Sequence, residues 1–375
     1  MKGVAILLML FLHLLNREEN VNLCYNTFNV LGMPFVYWLQ VATNPVSFFV
    51  VLSGYGMHYI YTNDGKDKHR WSRVFKLYLH LWVILAIFTG IAHFKNINYY
   101  TDIVDVIRNY TAFNCTWNGE VWFLFPFVCL SLLSPYIFKI IDRMKTIWIL
   151  VLFYFMNLCT CFVISRFGEQ YLYKNMLLYN PFLILHLVPS FVYGAIIHRT
   201  GIVSKFQTSV DKSEHKVLSV IAVIITLMSM VFIMCIVRRA FFIPLYASAF
   251  IILFLLLPRN RYLDICLAHL GNHSMNMWLI HTWFCYYLFH SEIYSLRYPI
   301  LIYLALITVS LLSSCVINGI IGILSKMSKG ISGLFCTVSW QAHCLVLTKM
   351  LCRHVKRGMV DTSREVSTIP RKTYR

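Results

Sequence analysis

Charge is what this chain has least of. Asp, Glu, Lys and Arg make up only 13% of its 375 residues, about half the share found in soluble globular proteins. A disordered chain needs low hydropathy to stay solvated, so that class is excluded. Glycine and proline are also scarce, at 16 and 10 residues, which excludes collagen-like and low-complexity chains. The 12 cysteines do not form a disulfide framework. Most of them, Cys129, Cys159, Cys161, Cys235 and Cys315 among them, lie in apolar runs and behave there as small hydrophobes. Several familiar chemical signatures are missing as well. There is no Gly-Lys-Ser/Thr phosphate loop (Asn63-Asp-Gly-Lys66 reads as a turn), no His-Glu-x-x-His, no Cys-x-x-Cys and no Gly-x-Ser-x-Gly elbow. A resident metal is therefore not expected.

What fills the chain instead is apolar, at 59% of residues with a mean hydropathy of +0.65. A water-soluble protein has nowhere to bury so much apolar surface, which points to an all-α polytopic membrane bundle. At about 20 residues per span, the apolar content furnishes about ten transmembrane helices. The runs are 2–15, 44–62, 74–94, 120–141, 146–165, 178–198, 216–237, 240–257, 268–290 and 299–325. The first is short, and Asn16, Arg17, Glu18 and Glu19 end it with no small-residue cleavage site. It either lies deep in the bundle or belongs to a chain that begins upstream of Met1. The stretch 16–43 carries an apolar patch, Val30 to Leu39, that suits the membrane surface. Residues 330–351 could add an eleventh span, and 353–375 read as a disordered basic end.

The net charge of +18 would suit a nucleic-acid partner, but the positions of the cations exclude one. Of the 33 Lys and Arg residues, 25 fall on the side of Lys2 and 8 on the other, while the acids divide 8 to 7. Such an asymmetry confined to cations sets topology. Both termini are expected in the cytoplasm, in a plasma or bacterial inner membrane. Arg238 and Arg239 dissent, in a tight external turn. Cys24 and Cys115 fall in external loops, where one disulfide could join them. Two Asn-x-Ser/Thr sequons, at Asn109 and Asn114, share that side.

Ionisable groups inside a bilayer are costly and point to function. His13 is the only polar side chain deep in the first run. An imidazole there fits a general base, or a histidine bonded to a neighbouring helix's carbonyl. Arg70 and Arg73, spaced i, i+3 at the start of a helix, share a face with room for phosphates or a carboxylate; positive-inside topology also accounts for them. Ser53-Gly54 in span two allows close approach of a ligand or of a second helix. Ser274 and His281, seven apart, put a polar stripe on span nine. His80, His93 and His186 have no such company and read as satisfied core residues.

Taken in order, these residues resemble a known family. An intramembrane His, Phe-Phe-x-x-x-Ser-Gly, Arg-x-x-Arg, Trp-Phe-Leu opening span four and Ser-x-x-x-Trp-Leu-Ile-His in span nine are similar to the acyltransferase-3 family of membrane O-acyltransferases, found mainly in bacteria. The resemblance covers residues 1–325 and leaves 326–375 as a separate basic tail expected in the cytoplasm. It implies ten core helices and the transfer of an acyl group, usually acetyl from acetyl-CoA, to a hydroxyl of an extracytoplasmic or cell-surface glycan. The family's Arg-x10-His pattern falls on Lys2 and His13, its Arg-x-x-Arg on Arg70 and Arg73, and its Ser-Gly-Phe on Ser53, Gly54 and Tyr55. Many members carry a Glu five residues after the span-four Trp. Here Trp122 is followed at that spacing by Phe127, with Glu120 just before it.

The resemblance makes His13 the catalytic base, or a nucleophile that is itself acylated. Arg70, Arg73 and Lys76 would hold the CoA phosphates, and the thioester would pass Ser53 and Gly54. Lys2, Glu120, Trp122, Ser274 and His281 remain as substrate-binding or structural polar positions. The implied partners are the lipid bilayer, acyl-CoA as donor substrate rather than resident cofactor, and a glycan acceptor. A non-catalytic transporter or flippase for a lipid-linked glycan is the competing reading.

Overall fold

A computed structural model of the chain describes residues 1–25, 28–30, 32–64 and 69–331. Its elements run α1 (Lys2–Leu15), α2 (Glu18–Asn22), β1 (Asn29–Val30), β2 (Met33–Pro34), α3 (Phe35–Val41), α4 (Pro45–Asp64), α5 (Arg70–Phe94) and α6 (Ile103–Tyr110). A short 3-10 turn, Gly119–Phe123, leads into α7 (Leu124–Arg143). There follow α8 (Thr146–Phe167), α9 (Met176–Thr200), α10 (Ile202–Asp211), α11 (Lys216–Val237), α12 (Ile243–Leu256), α13 (Arg261–Thr282), α14 (His290–Tyr294) and α15 (Pro299–Ile331). Met1–Ile323 form one compact unit. The eleventh span and the basic end considered above lie largely or wholly outside the described residues.

The architecture is the expected all-α polytopic membrane bundle. Among the described residues, seven helices are long and apolar enough to cross a membrane, and Lys2–Leu15 and Ala240–Leu256 are shorter apolar ones. The tenth is α13, whose hydropathy is lowered by His269, Asn272, His273, Ser274, Asn276 and His281. It begins earlier than its apolar run because the Asn260 side chain caps it, accepting from the Tyr262 N–H at 3.0 Å. At ~1.5 Å per residue, α1 is about 21 Å long and short of a bilayer's hydrocarbon core. It nevertheless sits deep in the bundle, with Ala5, Ile6, Met9 and Leu10 fully buried. On α11, by contrast, Val217, Leu218, Ile225, Met228 and Phe232 are exposed, as suits a lipid-facing helix.

Glycines fix how the helices cross. A Cβ at Gly54 on α4 would fall on the Phe191 carbonyl oxygen of α9, and a Cβ at Gly194 would fall on that of Val51. The two backbones touch there, as small residues permit in a bilayer where apolar contact alone gives little drive. A second crossing joins α1 to α13. A Cβ at Gly3 would strike the backbone of Leu267, and one at Gly271 would meet Gly3 and Lys2. In both crossings the paired helices run parallel, so residues at equal offsets from the two glycines meet again further along.

The apolar patch after Val30 forms a tight hairpin pairing Asn29 with Pro34 and Val30 with Met33, turned by Gly32 at φ 79°. It continues into α3, where the Trp38 indole donates to the Val30 carbonyl at 2.9 Å. The dissenting Arg238 is explained here. It ends α11 at φ 47°, donates to the Cys235 carbonyl at 2.9 Å, and stacks its guanidinium 4.2 Å from the Trp38 ring. Cys24 and Cys115 are both free. Each thiol bonds a carbonyl of its own turn, Asn20 and Ala112 respectively, and burial pushes the Cys115 thiol up to about 12. The Asn109 sequon is closed, because its amide is buried and bonds Asp105, Thr116 and the Trp117 N–H.

Candidate active site

The α1–α13 crossing builds the site. His13 lies ten residues beyond Gly3, and His281 ten beyond Gly271. Parallel helices rising ~1.5 Å per residue carry both imidazoles to one level about 15 Å from the crossing. Their ring centroids are 5.0 Å apart. His281 is fully buried. Its Nδ1 lies 2.7 Å from the Trp278 carbonyl and 3.1 Å from that of Met277. Carbonyls only accept, so Nδ1 carries the proton and Nε2 is a lone pair, buried without a hydrogen-bond partner among the described residues.

The tautomer of His13 follows from its neighbours in the same way. Its Nδ1 is 3.2 Å from the Tyr286 hydroxyl, and that hydroxyl donates its single proton to Asn16 Oδ1 at 2.7 Å. The phenol oxygen can therefore only accept, which puts the His13 proton on Nδ1 and leaves Nε2 as the free base. Glu120 Oε2 lies 3.6 Å from that nitrogen. Beside them the Arg17 guanidinium stacks 4.0 Å from the Tyr286 ring centroid and acts electrostatically on Glu120. A π-helical turn, Trp283–Tyr287, after α13 swings Tyr286 and Tyr287 into place. The turn carrying Glu120 is pinned to that segment by three bonds. The Gly119 N–H donates to Tyr287 Oη at 2.9 Å, the Thr282 hydroxyl to Asn118 Oδ1 at 2.9 Å, and the Asn118 amide to the Leu279 carbonyl at 3.4 Å.

Together these groups make a base with a fixed tautomer facing a carboxylate. Once His13 takes up a proton at Nε2, the new imidazolium faces Glu120, the arrangement that general-base chemistry on a hydroxyl requires. No group of three or more His, Cys, Asp or Glu placed to hold a metal ion occurs among the described residues.

The chain matches the sequence profile of the acyltransferase-3 family, an acyltransferase domain, over residues 1–319. It belongs to that family. No curated protein and no solved structure matches it. Membership makes this an acyltransferase of the membrane. In this acyltransferase the Phe127 ring lies 5.5 Å from that of Phe123. The carboxylate beside His13 is that of Glu120.

The remaining expected residues make other contacts. Trp122 is half-buried against Phe123, ring centroids 6.0 Å apart. Lys2 and Ser274 sit near the glycine crossing, where the Ser274 hydroxyl donates to the Gly271 carbonyl at 2.8 Å. Ser53 is half-buried on α4, and the space beside Gly54 is taken by α9. Arg70, Arg73 and Lys76 share the first two turns of α5 and are all half-buried. Arg70 reaches α7, donating to the Leu132 carbonyl at 3.1 Å, while its Nε is buried without a hydrogen-bond partner among the described residues. Pro135 prepares that contact. A proline inside a helix removes one N–H and loosens the carbonyls before it. The Ser134 hydroxyl takes the Ser131 carbonyl at 2.8 Å, and Arg70 takes Leu132.

Two features escaped the sequence reading. His80 does have company, since its Nδ1 meets Asn276 Oδ1 at 2.6 Å. His186 contacts Thr160 Oγ1 at 3.4 Å, and His93 is exposed. The second feature is a further histidine pair at the α4–α9 crossing, His58 and His198, with Nδ1 atoms 2.8 Å apart and Asp142 3.6 Å from His58. Each follows its crossing glycine, Gly54 or Gly194, by four residues. The signal was a repeated spacing. Glycine precedes histidine by ten in α1 and α13 and by four in α4 and α9.

Proposed function

We propose that this acyltransferase moves an acyl group, acetyl before others, from cytoplasmic acyl-CoA to a hydroxyl of an extracytoplasmic or cell-surface glycan. The observation that carries the reading is His13, whose Nε2 is left free by the Tyr286–Asn16 chain and faces Glu120. In the proposed step the acceptor hydroxyl gives its proton to His13 Nε2 as its oxygen forms the bond to the thioester carbonyl carbon. The carbon–sulfur bond breaks, and the departing thiolate takes the proton back from His13. Glu120 faces the imidazolium in between. His281 presents a second fixed lone pair beside the reacting hydroxyl. Holding donor and acceptor in line supplies much of the acceleration in such a site.

On the donor side, Arg70, Arg73 and Lys76 supply the cations for the phosphates. The even split of acids and the 25-to-8 split of cations support placing that face in the cytoplasm. The test is transfer of radiolabel from acetyl-CoA into a cell-envelope glycan extract by membranes carrying the protein. Label should appear with the wild type and not with His13→Ala; equal labelling would remove His13 from the chemistry. Arg70→Ala with Arg73→Ala should raise KM for acetyl-CoA at unchanged kcat.

A further inference from the structure

His80 is a buried titratable group that the chemistry above leaves unused, and one of its nitrogens faces no partner. The residue is 3% exposed, in the middle of α5. Its Nδ1–H donates to Asn276 Oδ1 at 2.6 Å. The Asn276 amide is in turn committed to Asn318 Oδ1 at 3.0 Å and the Ser314 carbonyl at 3.4 Å. That network joins α5, α13 and α15 and fixes the His80 tautomer, so Nε2 is a lone pair aimed away from Asn276. It has no hydrogen-bond partner among the described residues. An acceptor left buried and empty is costly, which points to a donor that arrives with a ligand.

The position identifies that ligand. His80 follows Arg73 by seven residues, on the same face of α5, and Lys76 by four. At ~1.5 Å per residue it stands about 10 Å up the helix from Arg73. The helices α5 and α13 run parallel, since His80 meets Asn276 and Lys95 meets Leu288 further on. His281 lies five residues beyond Asn276, about 7.5 Å higher. The three levels are therefore cations, then a bare acceptor, then the catalytic histidines, spread over about 18 Å.

An acyl-CoA arm has the same order, with phosphates, then two secondary amides, then the thioester. It contains about twelve bonds from phosphate oxygen to sulfur, the length of about four peptide units or roughly 14 Å extended. The long side chains of Arg70 and Arg73 cover the difference. We propose that His80 Nε2 accepts a hydrogen bond from an amide N–H of this arm and so sets the depth at which the thioester stops beside His13. The proposal rests on the acyl-CoA reading of the donor and makes His80 a positioning residue.

The test is equilibrium binding of acetyl-CoA and of adenosine 3′,5′-bisphosphate, which lacks the arm, to the detergent-purified full chain. His80→Ala should weaken acetyl-CoA about three- to tenfold, the value of one hydrogen bond, and leave the bisphosphate unchanged. Arg73→Ala should weaken both. An acetyl-CoA analogue N-methylated at both arm amides should bind the wild type about three- to tenfold less tightly, a readout that needs no variant to fold. His80→Gln, which keeps an acceptor oxygen, should recover part of the loss. Unchanged acetyl-CoA affinity in His80→Ala, or equal weakening of both ligands, overturns the proposal. A wild type that binds neither ligand refutes the acyl-CoA reading itself, and the role of His80 falls with it.

Discussion

Tyr286→Phe tests how the base is prepared without touching the base. The change removes one oxygen, which accepts from His13 Nδ1–H at 3.2 Å and donates to Asn16 at 2.7 Å. His13 is 7% exposed, so water cannot replace the lost acceptor, and an N–H left bare in such a place costs about 1–3 kcal/mol. The ring escapes that cost by moving its proton to Nε2, which takes away the lone pair facing Glu120 and the acceptor. The competent tautomer then becomes the minor one, and turnover should fall about 5- to 150-fold, the same energy read as a rate ratio. The proposed donor site, Arg70, Arg73 and Lys76 on α5, does not include Tyr286, so KM for acetyl-CoA should not move. The assay is the initial rate of acetyl transfer from radiolabelled acetyl-CoA into glycan across a range of donor concentrations, with His13→Ala as the floor. Asn16→Ala should give a smaller loss, and the double variant should lose little more than Tyr286→Phe alone, because the two residues act in one chain. Wild-type kcat in Tyr286→Phe, or a loss carried entirely by KM, would refute the tautomer argument.

Two further outcomes concern stability. Gly54→Ala should destabilise the protein by about 1–3 kcal/mol, since the added methyl meets the α9 backbone. Gly56→Ala, where a Cβ meets nothing within 4 Å, should be neutral or gain about 0.5–1 kcal/mol; thermal unfolding in detergent separates them, and equal effects would show that the crossing is not close-packed. At the opposite end of the bundle from Arg70, Lys95 donates to Glu292 at 3.1 Å and to the Leu288 carbonyl at 2.6 Å. The Glu292 carboxyl is held at about 2, first by the Ser291 hydroxyl, then by its own backbone N–H and by Lys95. A depressed carboxyl stabilises the fold at pH above its ordinary value of 4.5 and loses that contribution as pH falls towards 2. The pair is exposed, so its worth is about 0–1 kcal/mol. The melting temperature of Glu292→Gln should sit slightly below wild type at pH 7, with the gap closing between pH 4.5 and 2; a gap independent of pH would sink the assignment.

Hydropathy alone pointed to most of the spans, because a bilayer leaves no other place for runs such as 216–237, where α11 forms; α13 departs from its run, starting at Arg261 and ending at Thr282. The polar residues inside them were legible for the same reason, since a histidine at position 13 or 281 stands out against an apolar background. Their partners were not. Glu120 looked displaced from the position its relatives use, and Tyr286 and Asn16 carry no spacing that links them to His13. They meet because a π-helical turn follows α13, and because the Gly119 N–H is tied to Tyr287. His80 is the core residue expected of it, but its partner was not legible because Asn276 belongs to a different helix. One-dimensional patterns record which face of a helix a residue occupies, but which faces meet depends on where backbones touch. In this protein that is decided at Gly3 with Gly271 and at Gly54 with Gly194. The missing Cβ atoms let parallel helices close on each other there, and equal rise along each helix then brings His13 to His281 and His58 to His198.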